Sequence, residues 1–276
     1  MTQALFDYDV VVIGSGPAGQ KAALQAANAG QKVAIIERDT LFGGACVHRG
    51  TIPSKTLREN ALRIKNMRQN AALFDFKLGE DTEMATLMDR LDAVLKAHDT
   101  FMRAQIDRNN VERIQGRASF IDNHTLHINH VGKLNSKLTS NTIIIATGSY
   151  PRHPENIPID HEHILDSDSI LSLLYLPTSL TVLGGGVIAS EYASIFQALG
   201  VKVTMIDRYP MPLGFLDSDM TNCFIREFES LGGTWLGNQT VQKVEWDGVS
   251  EVIAHCEDGT VIRSQKLLCA AGRLAN

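Results

Sequence analysis

Apolar and polar stretches divide the start of the chain into a strand, a helix and a second strand. The apolar run from Val10 to Ile13 predicts a buried strand, and the alanine-rich stretch ending at Asn28 predicts an amphipathic helix. Gly30 ends that helix, and the run KVAIIE returns as a second strand that closes at Glu37. The pattern is typical of a βαβ unit with parallel strands.

Three glycines with the spacing G-x-G-x-x-G join the first strand to the helix. Gly14 permits a tight turn, Gly16 lets a pyrophosphate approach the backbone, and Gly19 lets the helix lie close to the strand. Free N–H groups at the start of the helix attract phosphate. The carboxylate of Glu37 can accept a hydrogen bond from a ribose 2′-hydroxyl. This unit is therefore predicted to bind a dinucleotide with an unphosphorylated adenosine ribose.

The same arrangement recurs 170 residues later, between Leu180 and Arg208. At this offset the positions of Gly14, Gly16, Gly30 and Glu37 are repeated by Gly184, Gly186, Gly200 and Asp207. Ala189 replaces Gly19, which the motif tolerates. A single glycine motif is weak support for nucleotide binding, but two copies with their terminal acids predict two dinucleotides on one chain and electron transfer between them.

Between the two copies, periodicity predicts helices over Pro53–Phe74 and Glu83–Asn109 and a small β meander near residues 117–130. The run NTIIIATGS at residues 141–149 predicts a further buried strand.

The segment YPRHP, at residues 150–154, contains two prolines and predicts a boundary between domains. We expect two α/β domains with parallel sheets in three layers, one over residues 1–150 and one over residues 151–276.

Bulk composition narrows the function classes. A net charge of -5 over 276 residues gives no basic surface for nucleic acid or an anionic membrane, so neither partner is expected. The N-terminus carries no signal-peptide pattern and no apolar run long enough to span a membrane. The four cysteines (Cys46, Cys223, Cys256 and Cys269) form no CxxC pair, which favours a reducing, cytoplasmic setting.

The histidine-rich runs HTLHINH and HEH do not predict a metal site. A spacing of three places His124, His127 and His130 on alternating faces of a strand, and His161 and His163 have no third ligand nearby. We expect surface polar groups here and no bound metal.

Several segments resemble the FAD-dependent pyridine nucleotide-disulfide oxidoreductase family. They are the N-terminal glycine motif, GGACVHRGTIPSK (Gly43–Lys55), the ATG strand end and the second glycine unit with its glutamate, in this order. GTIPSK after a single cysteine, together with DSDSIL, EYASIF and FLDSDM, is most similar to members that exchange hydride between NADPH and NAD⁺.

The resemblance covers essentially the whole chain and implies a glutathione reductase-like fold. Residues 1–150 would form the FAD-binding domain and residues 151–276 the NAD(P)-binding domain. It also implies that the C-terminal return to the FAD domain and the dimer interface domain are absent from this chain. The full-length form is expected to be a homodimer or a higher homo-oligomer.

The resemblance further implies roles for individual residues. The implied FAD contacts are Gly14, Gly16, Gly19, Glu37, Arg38, Gly43, Gly44, Cys46, Thr51, Lys55, Gly116, Ala118, Thr147 and Gly148. The implied NAD(P) contacts are Gly184, Gly185, Gly186, Val187, Ile188, Asp207, Val241 and Gly272. The implied catalytic residues are Cys46, Lys55 and Glu191: Lys55 would reach toward flavin N5, and Glu191 would pair with it or meet the nicotinamide end of the second cofactor.

The second cysteine of the disulfide reductases is replaced by Thr51. A dithiol relay needs one thiolate to attack the substrate and a second to resolve the mixed disulfide, so reduction of a disulfide substrate by that route is disfavoured. Cys46 then either keeps a redox role or is a small residue that lies under the flavin, and the missing partner favours the second.

Hydride exchange between NADPH and NAD⁺ through FAD remains, with FAD, NAD and NADP as the cofactors. Two alternatives stay open: a dihydrolipoamide dehydrogenase-like diaphorase without a redox disulfide, and a catalytically silent nucleotide-binding fragment. The preference between NAD and NADP is also open, because Asp207 repels a 2′-phosphate while the adjacent Arg208 can pair with one.

Overall fold

A computed structural model describes residues 5–73, 84–130 and 132–276. The helices are α1 (Pro17–Asn28), α2 (Gly44–His48), α3 (Thr51–Leu73), α4 (Met84–Arg108), α5 (Val187–Ala198) and α6 (Ser218–Ser230), with a 3₁₀ turn at Ser169–Ser172. The strands are β1 (Tyr8–Ile13), β2 (Val33–Glu37), β3 (Glu112–Gln115), β4 (Arg117–Phe120), β5 (Thr125–Asn129), β6 (Ser136–Ile145), β7 (Ser149–Pro151), β8 (Ile164–Asp166), β9 (Ser179–Leu183), β10 (Lys202–Ile206), β11 (Thr234–Leu236), β12 (Val241–Trp246), β13 (Val252–Cys256), β14 (Val261–Ser264), β15 (Lys266–Cys269) and β16 (Arg273–Ala275).

The chain divides into two compact units. Unit 1 comprises Met1–Ile52, Ala93–Tyr150 and Ala275–Asn276, and unit 2 comprises Pro53–Asp92 and Pro151–Leu274. The division near residue 150 falls between Tyr150 and Pro151. Residues 53–92, which include most of α3, belong to unit 2 rather than to the N-terminal unit.

Unit 1 is built on a six-stranded sheet with the order β3-β2-β1-β6-β5-β4. Strands β3, β2, β1 and β6 are parallel, as the βαβ pattern predicts. The sheet then continues antiparallel through β5 and β4, which confirms the predicted meander. Strand β6 serves both parts, because residues 136–139 pair with β5 and residues 140–145 pair with β1.

The alternation of side chains along β1 and β2 supplies two cores. Val12 and Ile35 face one way and pack with α1 and α4, whereas Val11 and Ile36 face the other way and pack with the meander. Ile35 and Ile36 are at most 2% exposed, and burying each such side chain contributes about 1.5–3 kcal/mol. Helices, sheet and meander therefore form three layers.

Unit 2 repeats this plan. Its central sheet has the order β11-β10-β9-β15-β8, and every pairing in it is parallel. One face packs with α5, α6 and the start of α3, through side chains that include Leu57, Ala61 and Phe196. The other face packs with the antiparallel meander β12-β13-β14.

Both predicted βαβ units are confirmed, and their helices and strands lie where the periodicity indicates. Helix α3 begins at Thr51, two residues before the predicted start at Pro53, and α4 ends at Arg108, one residue before the predicted end. The other two predicted helix ends, Phe74 and Glu83, lie outside the described residues. The two three-layer α/β units confirm the predicted fold class.

Candidate functional site

The first glycine turn lies at the carboxyl end of β1. A Cβ added to Gly14, whose φ is +105°, would lie 2.3 Å from the Ala146 carbonyl oxygen, and one added to Gly19 would lie 1.9 Å from the Gly14 carbonyl oxygen. Both positions therefore exclude a side chain. A Cβ on Gly16 would meet nothing within 4 Å, and no side chain caps the N-terminus of α1. The turn thus leaves open space beside free N–H groups, which fits the pyrophosphate of a dinucleotide.

Glu37, at the end of β2, is anchored to this turn. Its Oε2 accepts the Ser15 backbone N–H at 2.9 Å and the Ser15 hydroxyl at 2.5 Å, and its Oε1 accepts the Asp39 N–H at 3.0 Å. The Glu37 carbonyl oxygen accepts the Gly116 N–H at 2.8 Å, so these two residues predicted for the adenosine end are neighbours. The glycine motif predicts no role for Ser15, because any residue can occupy that position of the pattern.

Two other predicted FAD contacts, Arg38 and Ala118, follow Glu37 and Gly116 closely in sequence. Arg38 is exposed, and its Nε lies 3.8 Å from Asp39 Oδ1. Ala118 lies on β4, where it pairs with Ile128 of β5. The roles of both toward a nucleotide stay predictions.

The start of the segment from Thr40 to His48 is held by α4. Asp99 Oδ1 accepts the Phe42 N–H at 2.8 Å, and Arg103 donates to the Thr40 carbonyl oxygen at 2.7 Å and to Asp99 Oδ2 at 2.7 Å. Burial alone raises the pKa of Asp99, but the hydrogen bonds from Arg103 and the Phe42 N–H outweigh it and hold the pKa below its usual value. Asp99 therefore stays ionised and fixes this segment.

The glycine pair of this segment comes close to the first turn. A Cβ on Gly44 would lie 2.9 Å from the Gly16 Cα, and the Gly43 N–H donates to the Ser15 hydroxyl at 2.9 Å. Cys46 follows on α2 as a partly exposed free thiol, and Thr51 is exposed at the start of α3.

The last predicted FAD contacts in unit 1, Thr147 and Gly148, follow β6. Asn276 contacts both, because its side-chain amide donates to the Thr147 carbonyl oxygen at 2.8 Å and its backbone N–H donates to the Gly148 carbonyl oxygen at 3.0 Å.

The second glycine turn repeats the closed first position and the open second position of the first turn. A Cβ on Gly184 would lie 2.6 Å from the Ala270 carbonyl oxygen, whereas one on Gly186 would meet nothing within 4 Å. Asp207, following β10, accepts the Gly185 N–H on Oδ2 and the Tyr209 N–H on Oδ1, the latter at 2.9 Å.

The surroundings of this turn are contributed by α5 and by the loop after β10. Val187 is exposed at the start of α5 and Ile188 packs on the core. Arg208 stacks on Tyr209, with its guanidinium carbon 4.9 Å from the ring centroid and a hydrogen bond of 3.1 Å to the hydroxyl.

The two remaining residues predicted for NAD(P) lie elsewhere in unit 2. Val241 begins β12, and its carbonyl oxygen accepts the Asn156 amide at 3.1 Å. The Gly272 carbonyl oxygen accepts the Arg152 N–H at 3.0 Å. Neither contact indicates a nucleotide, and their predicted roles remain untested.

The predicted pair of Lys55 and Glu191 is brought together within unit 2. Lys55 Nζ lies 2.9 Å from Glu191 Oε1, and the glutamate side chain is 21% exposed against 62% for the lysine. Arg58, one turn further along α3, donates to the Ser194 hydroxyl at 2.8 Å. These bonds tie α3 to α5. The approach of Lys55 to flavin N5 stays a prediction.

The described residues contain neither a metal-binding group of side chains nor a membrane-crossing helix. Within those ranges, no three His, Cys, Asp or Glu side chains are grouped so that they could hold a metal ion. None of the described helices combines the length and the apolar character that crossing a membrane requires.

Two parallel-sheet units, each with an acid-anchored glycine turn at the carboxyl end of its central strand, define a protein of the Rossmann type. Residues 8–276 match the family described as pyridine nucleotide-disulphide oxidoreductase, and the chain belongs to that family. Membership implies binding of FAD and NAD(P), and the open glycine turns fit those groups.

Curated relatives agree with this assignment. The chain is 42% identical over 274 residues to a soluble pyridine nucleotide transhydrogenase of Colwellia psychrerythraea strain 34H, with 98% of this chain and 58% of the relative covered. It is 38% identical to the protein of that name from Yersinia enterocolitica, with 99% and 59% covered. The chain therefore spans less than two thirds of the length of these relatives.

Solved structures show the same fold. The HOCl-induced flavoprotein disulfide reductase RclA of Escherichia coli superposes with a TM-score of 0.83 at 29% identity, covering 98% of this chain and 57% of that one. LpdA of Mycobacterium tuberculosis superposes with a TM-score of 0.88 at 27% identity, covering 97% and 59%.

Proposed function

We propose that this chain is the nucleotide-binding part of an FAD-dependent oxidoreductase that exchanges hydride between NADPH and NAD⁺. The observation that carries the proposal is the combination of two acid-anchored glycine turns with one cysteine, Cys46, after the glycine pair and a threonine, Thr51, where a dithiol would need its second thiol. The relatives named soluble pyridine nucleotide transhydrogenase support it.

In this proposal unit 1 binds FAD. Bound FAD supplies the carrier that takes hydride from one nicotinamide and passes it to another. The chain contributes binding and orientation: Gly16 leaves room for the pyrophosphate, Glu37 receives the adenosine ribose, and Gly43 and Gly44 lie alongside. Cys46 is retained as a small side chain near the flavin, because a thiol without a resolving partner cannot pass electrons to a disulfide substrate.

Unit 2 is proposed to bind NAD(H) and NADP(H) at its own glycine turn. Gly186 would provide the open approach, and Asp207, which is anchored by the Gly185 and Tyr209 N–H groups, would receive the adenosine ribose. Lys55 is held by Glu191, which fixes the ammonium group at one place on the surface of unit 2. We propose that this pair orients the nicotinamide ring for hydride transfer.

The cellular setting and the assembly are also part of the proposal. Four free cysteines support a reducing, cytoplasmic setting. The full-length form is proposed to be a homodimer or a higher homo-oligomer, as the family resemblance implies.

The proposal is tested by the visible absorption of the purified chain after incubation with FAD and removal of free flavin. We expect a flavin band that bleaches when NADPH is added without oxygen and returns when NAD⁺ is added. A band that bleaches but returns only with a quinone or dye would instead support the diaphorase. A chain that stays colourless would contradict the proposed function and leave the silent fragment.

A matched pair of variants sharpens this experiment. Lys55→Met removes the cation bonded to Glu191, and we expect flavin reduction by NADPH to slow by about tenfold or more in stopped flow. Arg58→Met removes a comparable cation from the next turn of α3, where it bonds Ser194, and should leave the rate unchanged. Equal rates in the wild type and Lys55→Met would remove Lys55 from the proposal.

A further inference from the structure

The hydroxyl of Ser15 connects two parts of unit 1 that are distant in sequence. Ser15 lies between Gly14 and Gly16 and is 0% exposed. Its Oγ donates to Glu37 Oε2 at 2.5 Å and accepts the Gly43 N–H at 2.9 Å. One buried hydroxyl thus joins the acid at the end of β2 to the glycine pair before α2.

These bonds determine which oxygen of Glu37 is available. Oε2 accepts both the backbone N–H and the hydroxyl of Ser15, whereas Oε1 accepts only the Asp39 N–H at 3.0 Å among the described contacts. A carboxylate oxygen accepts about two hydrogen bonds, so Oε1 retains one acceptor site. Two donors on Oε2 also restrict rotation of the carboxylate.

The same hydroxyl positions the glycine pair. Because the Gly43 N–H donates to it, the following residue, Gly44, lies so close to Gly16 that an added Cβ would be 2.9 Å from the Gly16 Cα. Gly16 is the position where the pyrophosphate approaches. Ser15 therefore acts on both ends of the region that would hold the ADP part of FAD.

We propose that Ser15 is a positioning residue for FAD, which presents Glu37 Oε1 to the adenosine ribose and seats Gly43 and Gly44 beside the pyrophosphate. This inference rests on the proposed function, in which unit 1 binds FAD.

Unit 2 provides an internal comparison. The residue equivalent to Ser15 is Gly185, whose N–H donates to Asp207 Oδ2 while Asp207 Oδ1 accepts the N–H two residues further on, from Tyr209. Glu37 is anchored by the corresponding two backbone donors. Gly185 has no hydroxyl, so backbone donors alone suffice to anchor the acid in a folded unit. The hydroxyl is an addition specific to unit 1, which points to a ligand task rather than a folding task.

The test measures FAD affinity of the flavin-free chain by quenching of flavin fluorescence. Removing a hydrogen bond to a charged group by Ser15→Ala should weaken FAD binding by about tenfold or more. The flavin-free variant should stay folded, because the backbone donors to Glu37 remain, while the Gly43 N–H that loses its acceptor should lower its melting temperature somewhat. Ser15→Gly, which copies Gly185, should behave in the same way.

A double-mutant cycle with Glu37→Ala tests whether Ser15 acts through the acid. If it does, Ser15→Ala should cost much less affinity in the Glu37→Ala background than in the wild type. Additive losses, or a Ser15→Ala variant that binds FAD like the wild type, would overturn the inference while leaving the proposed function intact. Failure of both Ser15 variants to fold would also overturn it, and a wild type that binds no FAD would overturn both.

Discussion

Glu37 and Asp207, the acids that close the second strand of each βαβ unit, are also bonded to their own glycine turns. Glu37 and Asp207 each use one carboxylate oxygen to accept the N–H between the first two motif glycines, and the other to accept the N–H two residues ahead. Each acid is therefore part of its own turn. Asp207 cannot swing away from a ligand without losing both bonds, so a 2′-phosphate would meet a fixed negative charge.

The neighbouring cation does not remove this charge. Arg208 is stacked on the Tyr209 ring and bonded to its hydroxyl, whereas the Asp207 carboxylate is bonded to backbone N–H groups. These contacts hold the guanidinium beside the Tyr209 ring. The geometry of this residue pair thus favours NAD(H) at unit 2.

We expect the chain to bind NADH more tightly than NADPH. Asp207→Asn removes the charge while keeping one acceptor oxygen, and it should tighten NADPH binding by about tenfold or more with little effect on NADH. Calorimetric titrations at one salt concentration measure both affinities. Arg208→Gln is the control: if NADPH binds as well as NADH and this variant selectively loses NADPH, Arg208 rather than Asp207 decides the preference.

At the scale of elements, the two glycine turns differ in how closely the helix approaches the strand. In unit 1 a Cβ on Gly19 would lie 1.9 Å from the Gly14 carbonyl oxygen, which no backbone shift within the turn absorbs easily. In unit 2 the equivalent Ala189 is accommodated, 3.7 Å from a Cβ on Gly184. Helix α1 therefore depends on glycine for its packing, whereas α5 does not.

Substitutions of two glycines in the first turn should consequently have different effects. Gly19→Ala should lower the free energy of unfolding by about 1–3 kcal/mol through overpacking. Gly16→Ala should leave the flavin-free stability nearly unchanged but weaken FAD binding, because its methyl group enters the space left for the pyrophosphate. Urea unfolding and FAD titration of both variants separate the effects. A Gly16→Ala variant that binds FAD normally would argue against a pyrophosphate at this turn.

The glycine turns, both βαβ units and the meander could be predicted because each depends on local periodicity or on one residue's conformational freedom. The contacts of Asp99 and Arg103 could not. These residues show only an i,i+4 pair on a helix, and nothing in the pattern tells which loop, about sixty residues away, they hold. The packing of α3 within unit 2 could not be predicted for the same reason. The apolar side chains of Leu57 and Ala61 indicate that one face of the helix is buried, but not which unit it packs in.

At the scale of the whole chain, acids outnumber bases by 31 to 26, and several aspartates are committed to internal hydrogen bonds. The pKa values of Asp7 and Asp99 in unit 1 and of Asp160 and Asp166 in unit 2 all lie below the usual value. Acid sensitivity should therefore be a property of both units.

Asp166 illustrates why the ionised form of such an aspartate stabilises the fold. Burial raises its pKa, but hydrogen bonds from the Ser169 N–H and from His153, whose Nε2 lies 2.8 Å from Oδ2, outweigh burial and lower it. A carboxyl whose pKa is lower in the folded state stabilises the fold when ionised. That stabilisation is fully present above the unfolded pKa of about 4 and is lost as the pH falls through the folded value.

We therefore expect the melting temperature of the wild type to fall steeply below about pH 4. Asp166→Asn should cost about 1–3 kcal/mol at neutral pH, because it removes acceptors from buried donors, but its stability should depend less on pH in the acid range. Circular dichroism melts from neutral pH to about pH 3 measure both effects. Glu257→Gln, at an exposed acid, should track the wild type. If Asp166→Asn keeps the full acid slope of the wild type, the ionised Asp166 carboxylate does not contribute to the pH dependence of stability.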